Sequence, residues 1–482
     1  MESSRPKSRC WREGKRANQD RHGNGDPGKT GVKRITKAIA CSAWEMRTMA
    51  LKTRAQAWVT DQIKRLLPKG EFGRGVAVLT GGTALGQAVT VLASPILTRL
   101  YTPDDFGVLA VYSSILNVFS VIASWRYEMA LPLPEKDELV INLVTLSLGI
   151  AGLMSLLMGL GVGLLGDHIV WWINAPILRS YLWLLPMGIF LVGSYQVFNY
   201  WAVRQKDFSV IAKTRLYQGI GSGFTQIVAG LLNIGPVGLL IGHILGQSAG
   251  LFTLALRFFK HYKITALNIN NISFVARRYK RFPLLSVWPA FINSLGLQLP
   301  ILALSGLYGA QVTGWFALTN RVFGVPLAIV SASTASVFVG QAAEYLRSGK
   351  KLDILFWKVI RQQSFIGIPM LLFVPLSLTI FSSIFGQNWE QSGIYASVWI
   401  PAIVANFIAS PTGGILDILE RQDLFVFREL CRLIMIGGTV ALSIKLSLPP
   451  FVMLSMLSSF MVLFAFVYAS LSLYAIKRAD ND

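Results

Sequence analysis

The chain has 482 residues, of which 53% are apolar and only 14% charged, against roughly 25% charged in an ordinary globular protein. Mean hydropathy is +0.52. These figures exclude a disordered chain, a collagen-like chain and a plain water-soluble enzyme, and leave an integral membrane protein with many spans. The formal net charge of +21 is uneven: residues 1–74 hold 18 Lys/Arg against 7 Asp/Glu. Basic loops facing an anionic cytoplasmic leaflet account for this better than nucleic-acid binding, since no basic-aromatic module is visible. Cys10, Cys41 and Cys431 are far apart and form no CxxC, so neither a disulfide framework nor a metal site is expected.

Residues 1–49 read as a basic, disordered extension without the apolar core of a signal peptide, and Met46 or Met49 is a candidate alternative start. Over 50–73 an amphipathic interfacial segment is expected, because Leu51, Ala55, Trp58, Val59, Ile63 and Leu66 recur at helical spacing among Lys and Arg.

Twelve apolar runs follow, at 75–97, 108–130, 139–165, 180–202, 216–235, 236–256, 284–306, 315–339, 364–386, 393–416, 430–447 and 452–475. Each is about long enough to cross a hydrocarbon layer of roughly 30 Å. The basic linker 257–283 divides them into a first lobe, 74–256, and a second, 284–476, with 477–482 as a tail. The predicted fold class is therefore all-α integral membrane, with twelve transmembrane helices in two six-helix lobes. Alternate loops carry 22 Lys/Arg on one side and only Arg99, Arg179 and Lys445 on the other. That bias predicts a cytoplasmic first set and two cytoplasmic termini.

Several spans carry polar residues at three- and four-residue steps. Thr80, Thr83, Gln87, Thr90 and Ser94 share one face of the first span; Ser113, Asn117, Ser120, Ser124 and Glu128 are expected to share one face of the second. Two such stripes predict a wet cavity between the lobes, although hydroxylated residues also serve helix packing. Arg321 lies inside the eighth span on a face of small residues, Gly314, Ala317, Gly324, Ala328, Ser331 and Ala335. An intramembrane arginine is costly unless it meets water or a partner, and its planar fork suits a phosphate. Arg126 is expected opposite the polar stripe, while Glu128 on the stripe is a candidate coupling group. Gly219, Gly221 and Gly223 lie within a span and predict close helix packing. No metal-ligand cluster, Walker loop or nucleophile elbow is present in the sequence.

Four elements in order carry a family resemblance. They are Leu97-Thr98-Arg99-Leu100-Tyr101-Thr102-Pro103-Asp104-Asp105-Phe106-Gly107; Trp125-Arg126-Tyr127-Glu128 through Pro134; Tyr279-Lys280-Arg281-Phe282-Pro283-Leu284 with Asn293-Ser294 and Gln298-Leu299-Pro300; and Gly314-Trp315-Phe316-Ala317-Leu318-Thr319-Asn320-Arg321-Val322 with Pro326. Over about residues 70–476 the chain resembles the bacterial oligosaccharide flippases (Wzx-like) of the multidrug/oligosaccharidyl-lipid/polysaccharide exporter superfamily. The resemblance implies a MATE-like, multi-pass inner-membrane transporter that turns a polyprenyl-diphosphate-linked oligosaccharide to the periplasmic leaflet by alternating access. It implies no cofactor, H+ or Na+ as candidate coupling ions, and polysaccharide polymerase or assembly proteins as candidate partners. Arg321 falls on the family's eighth-span arginine, and Arg126 and Glu128 on its RYE-like element. The candidate substrate-binding residues are Arg321, Gln87, Asn117, Gln298, Asn293 and Arg126, with Glu128 for coupling. The competing readings are an ion-coupled drug or cation antiporter of the same superfamily, and a membrane polysaccharide polymerase. The first would want more cavity carboxylates, the second a large reactive outer loop.

Overall fold

The computed structural model describes residues 71–262, 267–419 and 421–479, with the side chains of 71–77, 417 and 422 set aside. The chain divides after Pro68, and the described residues all fall within the second unit, Lys69–Asp482. The expected extension, 1–49, and residues 50–70 of the expected interfacial segment lie outside the described residues, while its last positions, 71–73, open the first helix described below.

The described secondary structure is helical throughout. In the first half, α1 is Glu71–Leu92, α2 Ser94–Leu100, α3 Pro103–Ser120, α4 Asp137–Ile173, α5 Leu184–Arg204, α6 Phe208–Leu231, α7 Pro236–Ser248 and α8 Leu251–His261. In the linker, α9 is Ile269–Arg278. The second half holds α10 Val287–Thr319, α11 Val325–Arg347, α12 Leu352–Met370, α13 Phe373–Phe385, α14 Glu390–Ala409, α15 Ile415–Ile418, α16 Gln422–Lys445 and α17 Pro450–Ala479.

Polar punctuation in the sequence sets many boundaries. Thr102 caps α3: its hydroxyl accepts from Asp105 N–H, while the Asp105 carboxylate accepts from Thr102 N–H at 2.9 Å, with Pro103 at the first helical position. Asp207 caps α6 in the same spirit. Gly309, at φ 82°, breaks the run from α10 into its last turns. A positive φ there favours a residue without Cβ.

By length and apolarity, five described helical segments qualify to cross a membrane, or six if the pair α12–α13, bent by 52°, forms one span. One of the five is the 66-residue run Phe282–Arg347, which contains the Gly309 break. An all-helical, multi-pass membrane protein is therefore established, whereas the expected count of twelve is not.

Close packing uses small residues where helices touch. A Cβ on Gly219 of α6 would collide with the Gly86 carbonyl of α1, and one on Gly86 with the Arg215 carbonyl. The predicted packing role of Gly219 is thus observed. The same device joins the halves: a Cβ on Gly107 would strike the Ala310 carbonyl, and one on Gly314 the Pro103 carbonyl. Around this contact Trp389 donates from Nε1 to the Thr98 carbonyl at 3.0 Å and stacks edge-on against Phe106. Ser305 donates to the Ile173 carbonyl at 2.8 Å. These bonds draw the ends of both halves around Pro103, Ala310 and Trp389 into one seal.

Two expectations are corrected. The second apolar run was expected to be helical over 108–130, but α3 ends at Ser120 and irregular turns precede a 3₁₀ turn at Tyr127–Ala130. Trp125 and Arg126 take left-handed φ values of 51° and 62°. The polar face expected to continue through Ser124 and Glu128 therefore stops at Ser120. The eleventh run was expected at 430–447, but α16 begins at Gln422, which places Arg428, Glu429 and Arg432 inside a helix rather than in a loop.

Candidate functional site: a polar crevice between the halves

The first-span stripe faces the second half, as expected of a cavity wall. Thr80, Thr83 and Gln87 of α1 line a crevice of about 380 Å3 opposite Val325, Ala328, Ile329, Ala332, Ser333 and Ser336 of α11. Gln87 is exposed within it. Several wall hydroxyls are already spoken for. Thr83 donates to the Leu79 carbonyl and Ser333 to the Ile329 carbonyl, so each presents its oxygen as an acceptor while its proton serves the helix.

Arg321 lies about one turn before Val325 and is not itself among the residues that line the crevice. It lies in a short π-helical turn, Asn320–Gly324, between α10 and α11. Such bulges are frequent at functional sites because they re-aim a side chain without ending the helix. One Nη donates across to the Thr90 carbonyl of α1 at 3.0 Å, one turn beyond Gln87. The guanidinium carbon sits 5.9 Å from the Phe106 ring, within cation–π range. Its Nε is buried with no acceptor among the described residues. Of the small-residue face expected around it, Gly324, Ala328, Ser331 and Ala335 line the second-half cavity described below, whereas Arg321 itself reaches across to the first half.

A half-buried histidine completes this region. His243 of α7 lies edge-on to Tyr112 and 3.2 Å from the Gln247 side-chain nitrogen. Tyr112 donates to the Leu184 carbonyl at 2.9 Å, and Gln218 donates to the Gln247 carbonyl at 2.7 Å. This network fixes the wall behind Arg321.

The other candidates distribute differently. Asn117 is half-buried on α3, and its carbonyl accepts from Ser294 of α10 at 3.3 Å. Gln298 is half-buried on α10 and lines neither this crevice nor the second-half cavity described below. Asn293 belongs to another cluster: its carbonyl and side-chain oxygen both accept from Arg432, at 2.9 and 3.1 Å. Arg126 and Glu128 sit beyond the end of α3. Glu128 is 2% exposed and accepts a short hydrogen bond from Ser124. Arg126 Nε is buried without an acceptor among the described residues. The left-handed backbone, rather than helical phase, decides where Arg126 lies, so its expected position opposite the stripe has no helical basis.

The residues missed in the sequence are Arg428, Glu429 and Arg432 of α16, all under 9% exposed. Glu429 pairs with Arg428 at 2.9 Å and with Arg432 at 2.5 Å. Arg428 also lies over the Tyr468 and Phe425 rings at 4.3 and 4.5 Å. Spacing could have found them, since positions 428, 429 and 432 fall on neighbouring helical rows; their charge density argued instead for a loop.

The exposed Asp167, near the end of α4, pairs with Arg179 at 2.5 Å. This pair fastens the end of α4 to the following loop.

With this geometry in place, the comparisons with known proteins gain meaning. A family profile described as polysaccharide biosynthesis protein matches residues 96–393. The chain is 22% identical over 319 residues to the succinoglycan biosynthesis transport protein ExoT of Rhizobium meliloti (strain 1021), covering 63% of this chain and 61% of that protein. It therefore spans less than two thirds of that relative's length. It is 23% identical over 363 residues to the lipopolysaccharide biosynthesis protein WzxC of Escherichia coli (strain K12), covering 73% and 72%. In fold it is similar to an inward-facing multidrug resistance MATE family transporter of the MOP superfamily, with TM-score 0.67 and 15% identity over 82% of this chain and 96% of that one. It is equally similar to the lipid II flippase MurJ in an inward closed conformation, with TM-score 0.67 and 12% identity over 83% and 87%. At such identities the likeness shows the fold alone. By the profile match over more than half its length, the chain belongs to the polysaccharide biosynthesis protein family.

Proposed function

We propose that the protein moves a lipid-linked oligosaccharide across a bacterial inner membrane for surface polysaccharide biosynthesis, by alternating access of two six-helix lobes with twelve spans in all. The observation that carries this reading is Arg321: half-buried between the halves, bonded to the Thr90 carbonyl, with an Nε that has no acceptor among the described residues, about one turn from the residues that line the crevice. The relatives named above, a succinoglycan transport protein and a lipopolysaccharide biosynthesis protein, support the substrate class.

The physics favours such a substrate. A sugar headgroup crossing hydrocarbon unaided would lose the hydration of many hydroxyls, each costing several kcal/mol without a partner. The Gln87, Thr80 and Ser336 wall supplies replacement acceptors and donors. The diphosphate would compete with the Thr90 carbonyl for the Arg321 fork, because a charge-assisted bond is stronger than one to a neutral carbonyl. Taking Arg321 away from Thr90 would loosen α1 from the 320–324 turn, which couples substrate binding to movement of the lobes. The basic loops support a reading with both termini and the crevice toward the cytoplasmic side and the Trp389 contact toward the periplasmic side. Asn117, Asn293, Gln298 and Arg126 are assigned to substrate contact along the remaining path, and Glu128 to coupling with H+ or Na+. Polymerase or assembly proteins are the partners on the periplasmic face.

Reconstitution in proteoliposomes with a fluorescent polyprenyl-diphosphate oligosaccharide tests this directly. Protein-dependent loss of the inner-leaflet pool, with no change in glycan length, supports the reading. Absence of movement under both H+ and Na+ gradients would refute it.

A further inference from the structure

The second half contains a cavity of about 610 Å3 that shares Val325, Ala328 and Ala332 of α11 with the crevice and extends from there toward α14 and α16. Its wall includes Asn320, Ser331, Asn406, Ser410 and Arg432. We propose that this cavity binds an oxyanion, a phosphate or carboxylate group, through Arg432.

Three observations converge. Arg428, Glu429 and Arg432 form a buried cluster with two positive charges and one negative. An uncompensated buried charge is strongly unfavourable in a membrane interior, so the cluster's surplus positive charge selects an anion. Arg432 is 8% exposed, lines the cavity, and keeps its Nε without an acceptor among the described residues. Its Nη2 is already engaged, donating to Asn293 and pairing with Glu429. A pre-oriented guanidinium with a spare donor is the arrangement that binds an oxyanion with little ordering cost. Gly296 makes room for it: a Cβ there would meet Arg432 Nη2 at 2.6 Å.

Amide and hydroxyl groups frame the same space. Asn320 accepts from Trp399 Nε1 at 3.2 Å through its oxygen, which leaves its amide N–H groups as donors. The Ser331 and Ser410 hydroxyls are paired at 2.6 Å. The cluster lies beyond the stretch 96–393 on which family membership rests, and the proposal rests on the burial of the cluster rather than on any transport reading. The anion could arrive on a transported lipid-linked glycan or as a free solute, and the test separates these sources.

The test uses the full chain in nanodiscs of neutral phosphatidylcholine. Thermal unfolding is followed by tryptophan fluorescence during titration with sodium pyrophosphate, against sodium chloride at matched ionic strength. Wild type is expected to show a saturable pyrophosphate-dependent rise in Tm. Arg432→Gln leaves a neutral Arg428–Glu429 pair, so it is expected to fold yet bind at least tenfold more weakly. Arg432→Lys keeps the charge without the planar fork and should fall between the two. A merely structural arginine would lower Tm in both variants with the pyrophosphate response unchanged. That outcome, or a wild type without a saturable response, would overturn the proposal. Competition by a short-chain prenyl diphosphate would assign the site to the lipid-linked ligand; pyrophosphate binding without such competition would assign it to a free anion. Anion binding that persists while glycan movement fails would sink the transport reading alone, and the converse would sink the Arg432 site alone.

Discussion

Replacing Arg321 with alanine is the most informative perturbation of the crevice. The guanidinium contributes one hydrogen bond to the Thr90 carbonyl and one Nε donor without an acceptor among the described residues. When a diphosphate binds, the Thr90 bond is exchanged rather than gained, so the net gain is the Nε bond plus charge attraction. A hydrogen bond to a charged group contributes about 1.5–3 kcal/mol. Opposite charges about 4 Å apart attract by roughly 4 kcal/mol at an effective dielectric near 20. Since part of that attraction is already counted in the hydrogen bond, the expected loss is about 2–4 kcal/mol, or roughly 30- to 1000-fold in transport efficiency. Stability should change little. The Thr90 carbonyl also accepts from Ser94 Oγ at 3.3 Å, so its loss of Arg321 leaves it partnered. Arg321→Lys keeps the charge without the fork and should retain more activity than Arg321→Ala. The assay is glycan movement in proteoliposomes, normalised to correctly inserted protein. An Arg321→Ala protein of unchanged fold that transports at the wild-type rate would refute the reasoning.

Other expectations follow from the same geometry. Glu128→Gln should abolish acceleration by an ion gradient while leaving slow, gradient-independent exchange, as measured by comparing both modes in vesicles; unchanged gradient dependence would remove the coupling role. Gly219→Leu should prevent the approach of α1 to α6 and lower Tm in detergent by many degrees, since the Gly86 backbone cannot yield as a side chain can. Thr102→Ala should cost about 1 kcal/mol through loss of the α3 cap, read as a modest fall in Tm. Trp389→Ala should open the seal near Thr98, read as faster labelling of a cysteine at Thr98 by a membrane-impermeant reagent.

Much of the fold is written in local chemistry. Gly219 announces a tight helix contact, which is observed, whereas the capping signature of Thr102, Pro103 and Asp105 starts α3 five residues before the expected run at 108. Arg321 was legible because an arginine on a small-residue face of an apolar run has few tolerable environments. The end of α3 was not legible. Residues 120–130 contain no Gly or Pro, and the left-handed turn at Trp125 and Arg126 contradicts the preferences of both side chains. Such backbone is held by its surroundings, including the Glu128–Ser124 bond and the Trp125–Met154 contact. The Arg428–Glu429–Arg432 cluster was hidden for a different reason: hydropathy counts each charge as a reason to end a span, whereas a mutually paired set sits inside one. Assigning Arg428 and Arg432 to a loop slightly inflated the cytoplasmic charge count without changing its direction.

The central claim is that water, rather than lipid, fills the space beside Gln87 beneath Arg321. In a background with Cys10, Cys41 and Cys431 replaced by serine, the rate of modification by a charged methanethiosulfonate reagent measures this directly. Gln87→Cys should react much faster than Leu92→Cys, which is also exposed, at 75%, but is not among the residues that line the crevice, and added lipid-linked oligosaccharide should slow the reaction. Equal rates at the two positions, or no protection by the glycan, would contradict the account.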